Sequence, residues 1–233
     1  VRQDDMLGVW PSSYPSDSVL DVLTYAGSNA AYSLAEGAGA GITYANGNLS
    51  ASVVYVGDEA TDSSQGVLTD QSSDDVTTQV AWVGEGFTLA AAYTTSDGGN
   101  TGGSASSADF DAWGLSAQWD PDVDSSLFPA SINAGFGWKS LDSENDALNI
   151  EDEQTWSIGL LWDDFAVEGN TLGIGIGSAE GWRDDSKYDD PIAFEVFYSM
   201  DVTDNITVTP ALFQVERNAQ DAITGGIVKT TFS

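Results

Sequence analysis

Most of the chain alternates apolar side chains with small or polar ones, and this period-two pattern limits the possible folds more than any other feature. The stretches WGLSAQW at 113–119 and WSIGLLW at 156–162 each place a Trp at both ends, six residues apart. Successive side chains of a β-strand point to opposite faces, so an even spacing puts both rings on one face. The pattern therefore predicts strands with an indole at each end of an apolar face and small or polar residues opposite.

The same alternation recurs along the chain and predicts eleven strands. Each has a length close to the roughly 9–11 residues that a tilted strand needs to cross a bilayer. The predicted strands cover residues 34–45, 48–56, 75–83, 87–95, 110–119, 130–139, 153–162, 170–179, 191–200, 205–215 and 222–232. A chain with this pattern belongs to the all-β class.

The connections between these strands differ in length in a regular way. Tight ones, such as NG at 46–47 and GEG at 84–86, mostly alternate with extended ones, such as 57–74 and 96–109. Bacterial outer-membrane barrels have short turns at one end and longer loops at the other. The sequence therefore predicts a transmembrane, antiparallel, up-and-down β-barrel, with residues 34–233 as barrel strands.

The charge balance excludes several classes of function. The chain of 233 residues has 37 acidic and 6 basic residues, a net charge of -31, and neither His nor Cys. Without Cys there is no disulfide and no thiolate metal site, and without His there is no Ser-His-Asp triad. Phosphates would be repelled, so we expect no nucleic-acid partner. Because hydrolase and phosphate-loop motifs are also missing, we expect no enzymatic activity, no catalytic residue and no cofactor.

The two faces of the predicted strands carry different side chains. The face with the large apolar residues is expected to contact lipid, with aromatic rings at the headgroup level. The residues expected in these aromatic girdles are Trp82, Trp113, Trp119, Trp138, Trp156, Trp162 and Tyr198. The opposite face is expected to line a water-filled pore, through Gln118, Ser131, Asn133, Lys139, Thr155, Glu195 and Lys229. Opposed charges inside a pore create a transverse field that sets selectivity.

Acidic residues are concentrated in the long connections, which are expected to lie outside the membrane. The mouth that they form holds Asp74, Asp75, Glu151, Asp152, Glu153, Asp184, Asp185, Asp189 and Asp190. A negative mouth attracts cations and repels anions, which predicts a mild cation preference. We expect no dedicated metal site. Loose binding of Ca²⁺ or Mg²⁺ to these carboxylates and plain solvation of an acidic surface in salty water both stay open.

Residues 1–33 do not alternate and are read as a loop with a short helix. They are rich in Pro and Ser, and the helix is expected over about 18–26, with Ser16 or Asp17 as its cap and Gly27 at its end. We favour a loop that folds into the pore and narrows it. A surface or periplasmic segment is the alternative.

Two stretches resemble a known family of outer-membrane proteins. DDMLGVWPSSYPSDSVLDVLTYAGSNAAYSLAEGAGAGI at 4–42 resembles the start of the C-terminal half of cyanobacterial outer-membrane porins. TVTPALFQVERNAQDAITGGIVKTTFS at 207–233 resembles their closing strands. These proteins form the OprB-like carbohydrate-selective group and are also called iron-uptake porins. The resemblance covers the layout of the whole chain, but only these two stretches are specific.

The resemblance implies a barrel of about sixteen strands, of which this chain holds about eleven. It also implies an outer-membrane location, contact with lipid and lipopolysaccharide, a homotrimer, and passive diffusion of small hydrophilic solutes and inorganic ions. Peptidoglycan would be bound only through a surface-layer-homology domain upstream of this chain. Because single-chain bacterial barrels have even strand numbers, the odd count also predicts strands before Val1.

Two other classes of protein fit parts of the same sequence. A soluble, acidic β-sandwich that binds carbohydrate or calcium has the same alternation, but it buries its Trp rows between two stacked sheets. An outer-membrane barrel enzyme with catalytic carboxylates in its outside loops also fits, because carboxylate pairs are present there. Trp rows that lie between two sheets would exclude the porin.

Overall fold

The structure is a computed structural model, and it describes most of the chain in separate ranges. The described residues are 1–14, 20–25, 27–28, 31–32, 35–58, 73–97, 109–123, 127–141, 152–178, 182–183, 191–217 and 220–232. Predictions that fall on other residues lie outside the described part. These include the helix cap at Ser16 or Asp17 and the acidic residues Glu151, Asp184, Asp185, Asp189 and Asp190.

Eleven long strands and one short strand form a single antiparallel sheet. The strands are β1 (Ala38–Asn46), β2 (Leu49–Asp58), β3 (Ser73–Gly84), β4 (Phe87–Asp97), β5 (Phe110–Trp119), β6 (Ser131–Leu141), β7 (Asp152–Trp162), β8 (Thr171–Ser178), β9 (Trp182–Arg183), β10 (Ile192–Thr203), β11 (Ile206–Arg217) and β12 (Gln220–Phe232). Each long strand pairs with the next long strand along the chain, and the two-residue β9 pairs with β7. The prediction of an all-β, up-and-down antiparallel sheet is therefore confirmed.

The eleven predicted strands coincide with the eleven long strands, with small shifts at the ends. The first strand begins at Ala38 rather than at residue 34, because Glu36 already pairs across an isolated bridge with Arg2. The tenth strand, β10, continues to Thr203. The sequence did not predict β9, whose two residues interrupt the acidic connection 180–190.

Successive connections lie at alternate ends of the sheet and differ in length, as the sequence indicated. One end, the short-turn end, has the connections 47–48, 85–86, 120–130, 163–170 and 204–205. The other, the long-loop end, has the connections 59–72, 98–109, 142–151, 179–191 and 218–219. The first turn is centred on Gly47 and Asn48, since Asn46 pairs with Leu49. Gly47 has a φ of 58°, and a glycine at the first central position is typical of a type II′ hairpin turn.

Burial alternates along the strands and divides the sheet into two faces. In β3 the side chains of Thr77, Gln79 and Ala81 are buried, whereas Val80 and Trp82 are exposed. We call the face with small, hydroxyl and amide side chains the polar face, and the face with the large exposed residues the apolar face. All twelve strands in the described part of the chain belong to one sheet. The Trp rows are exposed on the apolar face of this sheet. A β-sandwich would instead bury them between two stacked sheets.

Residues 1–32, the inner segment, precede the sheet and contain two single turns of 3-10 helix, Asp4–Met6 and Asp21–Leu23. The prediction of a helix over about 18–26 is wrong for the described residues 20–25, where only Asp21–Leu23 is helical. The turn is tight because the Leu23 amide donates to the Leu20 carbonyl at 3.0 Å, the spacing of a 3-10 helix. No helix in the described ranges is long and apolar enough to cross a membrane.

Candidate functional site

The inner segment packs against the polar face of the sheet, and most of the described core lies between the two. Leu7, Ala31 and Tyr32 form one buried cluster with residues of β2, β4 and β5. Tyr14 and Leu23 form a second one with residues of β7, β10 and β11. The polar face is therefore covered by protein over much of its width.

Small residues on the polar face make this close packing possible. A Cβ atom at Gly114 would lie 2.7 Å from Ser28 Cβ, and one at Gly159 would lie 2.4 Å from Tyr14 Cδ2. Both distances are shorter than van der Waals contact, so these positions accept only glycine unless the segment moves. The glycines that alternate along β5 to β8 thus provide the space that the inner segment occupies.

The start of the inner segment meets the residues that directly precede β1. The amino group of Val1 donates to the Gly37 carbonyl at 2.8 Å, and the Gly37 amide donates back to the Val1 carbonyl at 3.0 Å. The Arg2 guanidinium pairs with the Glu36 carboxylate at 3.1 Å. Val1 and Arg2 thus lie beside Glu36 and Gly37 at the long-loop end of the sheet.

Residues towards both ends of the inner segment are held by side chains of β3 and β4. Tyr32 Oη donates to Gln79 Oε1 at 2.8 Å, and Gln79 Nε2 donates to the Val9 carbonyl at 2.7 Å. Thr94 Oγ1 donates to the Ala31 carbonyl at 2.7 Å. Burial raises the pKa of Tyr32 and outweighs a hydrogen bond with Ser116, which acts in the opposite direction.

Further contacts attach the segment to β6 and β7. Thr155 Oγ1 donates to the Gly27 carbonyl at 2.6 Å, which Gly27 presents from a backbone with a φ of 70°. The Ser13 amide donates to Asn133 Oδ1 at 2.9 Å, and the hydroxyl oxygens of Ser13 and Ser131 are 2.6 Å apart. The inner segment therefore crosses the sheet instead of following a single strand.

The far side of the segment reaches Glu195 on β10. Tyr14 Oη donates to Glu195 Oε1 at 2.8 Å, and the Leu20 amide donates to Glu195 Oε2 at 2.9 Å. The Glu195 side chain is fully buried. Burial raises the pKa of Tyr14, and the adjacent Glu195 charge and its hydrogen bond raise that pKa further.

The structure distributes the predicted pore-lining residues differently from the expectation. All seven share the polar face by strand register, but the inner segment contacts Ser131, Asn133, Thr155 and Glu195. Glu195 is fully buried, because a segment with no strand periodicity covers it, and the pore-lining role of the seven residues stays a prediction.

The other three predicted pore residues lie outside these contacts. Gln118 Nε2 donates to both oxygens of Asp120, at 2.9 and 2.8 Å, near the short-turn end. Lys139 Nζ lies 3.8 Å from the centroid of the Phe110 ring, a cation–π contact. Lys229 is opposite Thr209 in the register of β11 and β12.

The described part of the predicted acidic mouth is divided between the two faces. Asp75 is buried on the polar face, whereas Asp74 belongs to the apolar face and accepts a hydrogen bond from Tyr55 Oη at 2.8 Å. Glu153 on β7 is paired in register with Lys139 on β6 and with Arg183 on β9, and Asp152 directly precedes it in the chain. In the described ranges, no three acidic side chains come together as metal ligands.

The aromatic side chains of the apolar face form two rows. Tyr93, Trp113 and Trp138 follow one another across β4 to β6, with successive ring centroids 4.5 and 6.2 Å apart. Trp156 on β7 is opposite Phe136 and lies slightly nearer the middle of the strands. We call this row, towards the long loops, the upper belt. The predicted girdle residues Trp113, Trp138 and Trp156 belong to it, whereas sequence reasoning missed Tyr93.

The second row, the lower belt, lies at the short-turn end. Phe87 and Trp119 are stacked with centroids 5.9 Å apart, and Phe128 meets Trp119 edge-on at 6.1 Å. Farther along, Phe165 meets Tyr198 at 6.4 Å, and Tyr198 Oη donates to the Phe165 carbonyl at 3.0 Å. The predicted girdle residues in this row are Trp82, Trp119, Trp162 and Tyr198. The two belts bound the apolar face at its two ends.

Sequence reasoning also missed the residues that attach the inner segment to the sheet. Gln3, which donates to Thr77, and the pair of Tyr14 with Glu195 are the clearest cases. The signal available was indirect: three tyrosines in a Pro- and Ser-rich stretch, and alternating glycines in two of the strands, β6 and β8. That pattern indicates close packing but does not identify partners.

Comparison with known proteins adds little beyond the geometry. No family model matches the chain. A protein of Nostoc sp., described as uncharacterized, is 36% identical over 92 residues, which is 36% of this chain and 16% of that protein. The chain thus matches only a small part of the length of this relative. No solved structure matches the chain.

Proposed function

We propose that this chain forms most of the wall of an outer-membrane porin. In this proposal, a water-filled channel carries small hydrophilic solutes and inorganic ions by passive diffusion, without a cofactor or a chemical step. The observation that carries the proposal is the inverted burial of the sheet. Large apolar side chains are exposed on one face, while hydroxyl, amide and carboxylate groups are buried on the other.

The apolar face fits hydrocarbon much better than it fits water. Ile42 is 79% exposed and Leu212 68% exposed, and many large apolar residues accompany them across the sheet. Each Å² of apolar surface left in water costs about 25 cal/mol, and soluble monomers rarely expose so wide an apolar patch. Aromatic side chains at both ends of an apolar band are typical of the two membrane–water interfaces.

The polar face fits the wall of a narrowed channel. The inner segment packs on it from β1 to β10, and the first residue of the segment, Val1, meets Gly37 at the long-loop end. On β10 to β12, polar side chains remain beyond the segment: Thr207 Oγ1 donates to Asp201 at 2.7 Å, and Thr209 Oγ1 to Ser199 at 3.1 Å. With Lys229, these residues are the proposed lining of the water path that the segment leaves open.

The proposal places the protein in the outer membrane, with the long loops outside. The proposed location rests on the resemblance to cyanobacterial outer-membrane porins. The same resemblance supports contact with phospholipid and lipopolysaccharide and assembly as a homotrimer. Attachment to peptidoglycan would be the task of a domain upstream of this chain. The match to a Nostoc protein is compatible with such a source but gives no function.

Reconstitution in planar bilayers tests the proposal directly. The protein, purified from outer membranes in detergent, should form steady channels of defined conductance. Under a salt gradient, the reversal potential should indicate a mild preference for cations, because the net charge is -31 and negative mouths concentrate cations. Absence of channels would contradict the function, and a clear anion preference would contradict the role of the acidic residues.

A further inference from the structure

One carboxylate of the sheet holds the inner segment at two separate points. Glu195 Oε1 accepts a hydrogen bond from the Tyr14 phenol at 2.8 Å, and Glu195 Oε2 accepts one from the Leu20 amide at 2.9 Å. The two donors are six positions apart in the chain, so one carboxylate holds two separate points of the inner segment. Hydrogen bonds to an ionised acceptor are the stronger kind.

The Tyr14 ring is also fixed by its surroundings. It lies over two glycines, since a Cβ at Gly159 would be 2.4 Å from its Cδ2 and one at Gly175 would be 2.6 Å from its Oη. The Phe197 ring meets it edge-on, with centroids 5.9 Å apart. Tyr14 therefore has one orientation, and in that orientation its hydroxyl points at Glu195.

Glu195 lies at the far side of the area that the segment covers. Other described hydrogen bonds of the inner segment go to β1, β3, β4, β6 and β7. On β10, the described hydrogen bonds from the segment end on Glu195. Beyond this point the polar face continues with Asp201 and Thr207, which bond to each other. Glu195 thus stands at the border between the covered and the uncovered part of the polar face.

We propose that Glu195 is the positioning residue that holds the inner segment across the sheet and so sets the width of the channel. This inference rests on the proposed porin function and deepens it. The residue does not act as a charge facing the solute, because it is fully buried. Its effect on permeation is exerted through the position of the segment.

The test compares Glu195→Ala with Asp201→Asn in planar bilayers. Asp201 is a matched control, because it is an acidic residue on the same face of the same strand, is exposed, and bonds to Thr207 rather than to the segment. Loss of the charge-assisted bonds of Glu195 should raise the fraction of time the segment is detached by about tenfold or more. Glu195→Ala should therefore show a higher and fluctuating conductance, while Asp201→Asn, which removes a charge from the proposed lining, should shift the ion preference without adding fluctuations.

A cross-link reports on the segment independently of conductance. The hydroxyl oxygens of Ser13 and Ser131 are 2.6 Å apart and the chain has no Cys, so Ser13→Cys with Ser131→Cys introduces a single thiol pair. Glu195→Ala should slow disulfide formation in this pair. Once formed, the disulfide should restore the steady conductance of the parent, as expected if position and not charge is decisive.

The outcomes separate the inference from the function on which it rests. If Glu195→Ala matches Asp201→Asn in both conductance and cross-linking rate, the positioning role is wrong while the porin function stands. If the parent protein forms no channel but Glu195→Ala still slows cross-linking, the porin function fails and the anchoring contact stands. If Glu195→Ala does not fold, Tyr14→Phe, which keeps the ring and removes one hydrogen bond, should show the same changes at smaller size, and no change there would overturn the inference.

Discussion

On the apolar face of the sheet large side chains stay partly exposed even where they contact one another, whereas on the polar face even a carboxylate is covered. Trp113 is 45% exposed and Leu115 49% exposed, while Thr77 and Glu195 are fully buried. Both faces belong to the same strands and differ only in the parity of the residues. The comparison teaches that one sequence period builds two faces of opposite burial, which in the proposed porin meet hydrocarbon on one side and a packed segment with water on the other.

Many of the polar groups buried on the polar face are paired with the inner segment. Thr77, Gln79, Thr94 and Thr155 all take part in hydrogen bonds with the inner segment. A buried polar group without a partner costs about 1–3 kcal/mol, so the segment and the face stabilise each other. In the described ranges no segment covers the apolar face, and its stabilisation depends on the medium around it.

The largest expected difference comes from a charge placed on the apolar face. Ile158 lies between the two belts, whereas Gln154, on the same strand and face, lies near the long loops. The variants Ile158→Arg and Gln154→Arg therefore place the same charge at two depths. The first should lower the free energy of unfolding in lipid vesicles by about 2–4 kcal/mol and the second by about 0–1 kcal/mol. Urea titration followed by heat-modifiable gel mobility measures both. Equal costs for the two variants would contradict a lipid-facing role of the apolar face.

A methyl group added to the polar face tests the packing of the inner segment. Gly159→Ala places a Cβ 2.4 Å from Tyr14 Cδ2, whereas Gly226→Ala places one 3.2 Å from the flexible end of Leu212. Overpacking should cost about 1–3 kcal/mol in the first variant and much less in the second, by the same urea titration. If both are equally stable, the segment is not packed against β7.

Tryptophan fluorescence sharpens the comparison between belt and segment. Variants that keep only Trp113 or only Trp10, with the other Trp residues changed to Phe, report one position each. A quencher attached near the lipid headgroups should quench Trp113 several times more strongly than Trp10, which packs against the Tyr32 ring at 5.1 Å on the opposite side of the sheet. Equal quenching of the two would show that lipid reaches both faces.

The smallest expected effect is the ionisation of the two buried tyrosines. The pKa values of Tyr14 and Tyr32 are raised above the ordinary value of 10.0, so the folded protein keeps both phenols protonated where the unfolded chain loses those protons. The associated stability is complete below about pH 10 and is lost as the pH rises further.

Phenolate absorbance at about pH 11, one unit above the ordinary pKa, measures this difference. The folded double variant Tyr14→Phe with Tyr32→Phe should give the same absorbance as the folded parent. After unfolding in urea, the parent should exceed the variant by the signal of two tyrosines. A smaller signal in the folded variant would mean that these phenols already ionise in the native protein.

The sequence predicts the strands and their faces well but the site poorly. Strand position follows from local alternation, as in Trp113 to Trp119, where every second residue carries the same information. The contact between Tyr14 and Glu195 joins residues 181 positions apart, and no local period marks either partner. Parity placed Glu195 on the correct face, but its burial depends on a segment whose path is set by glycines on several strands.

The inner segment has a consequence for the order in which the molecule assembles. Its binding surface consists of groups from Thr77 to Glu195, so that surface does not exist until strands from both halves of the sheet are in place. Contacts between residues far apart in sequence form late, because a long loop must close first. The segment is synthesised before the strands that it packs against and reaches its place after them, and until then the tyrosines it carries have no glycine-lined groove to enter.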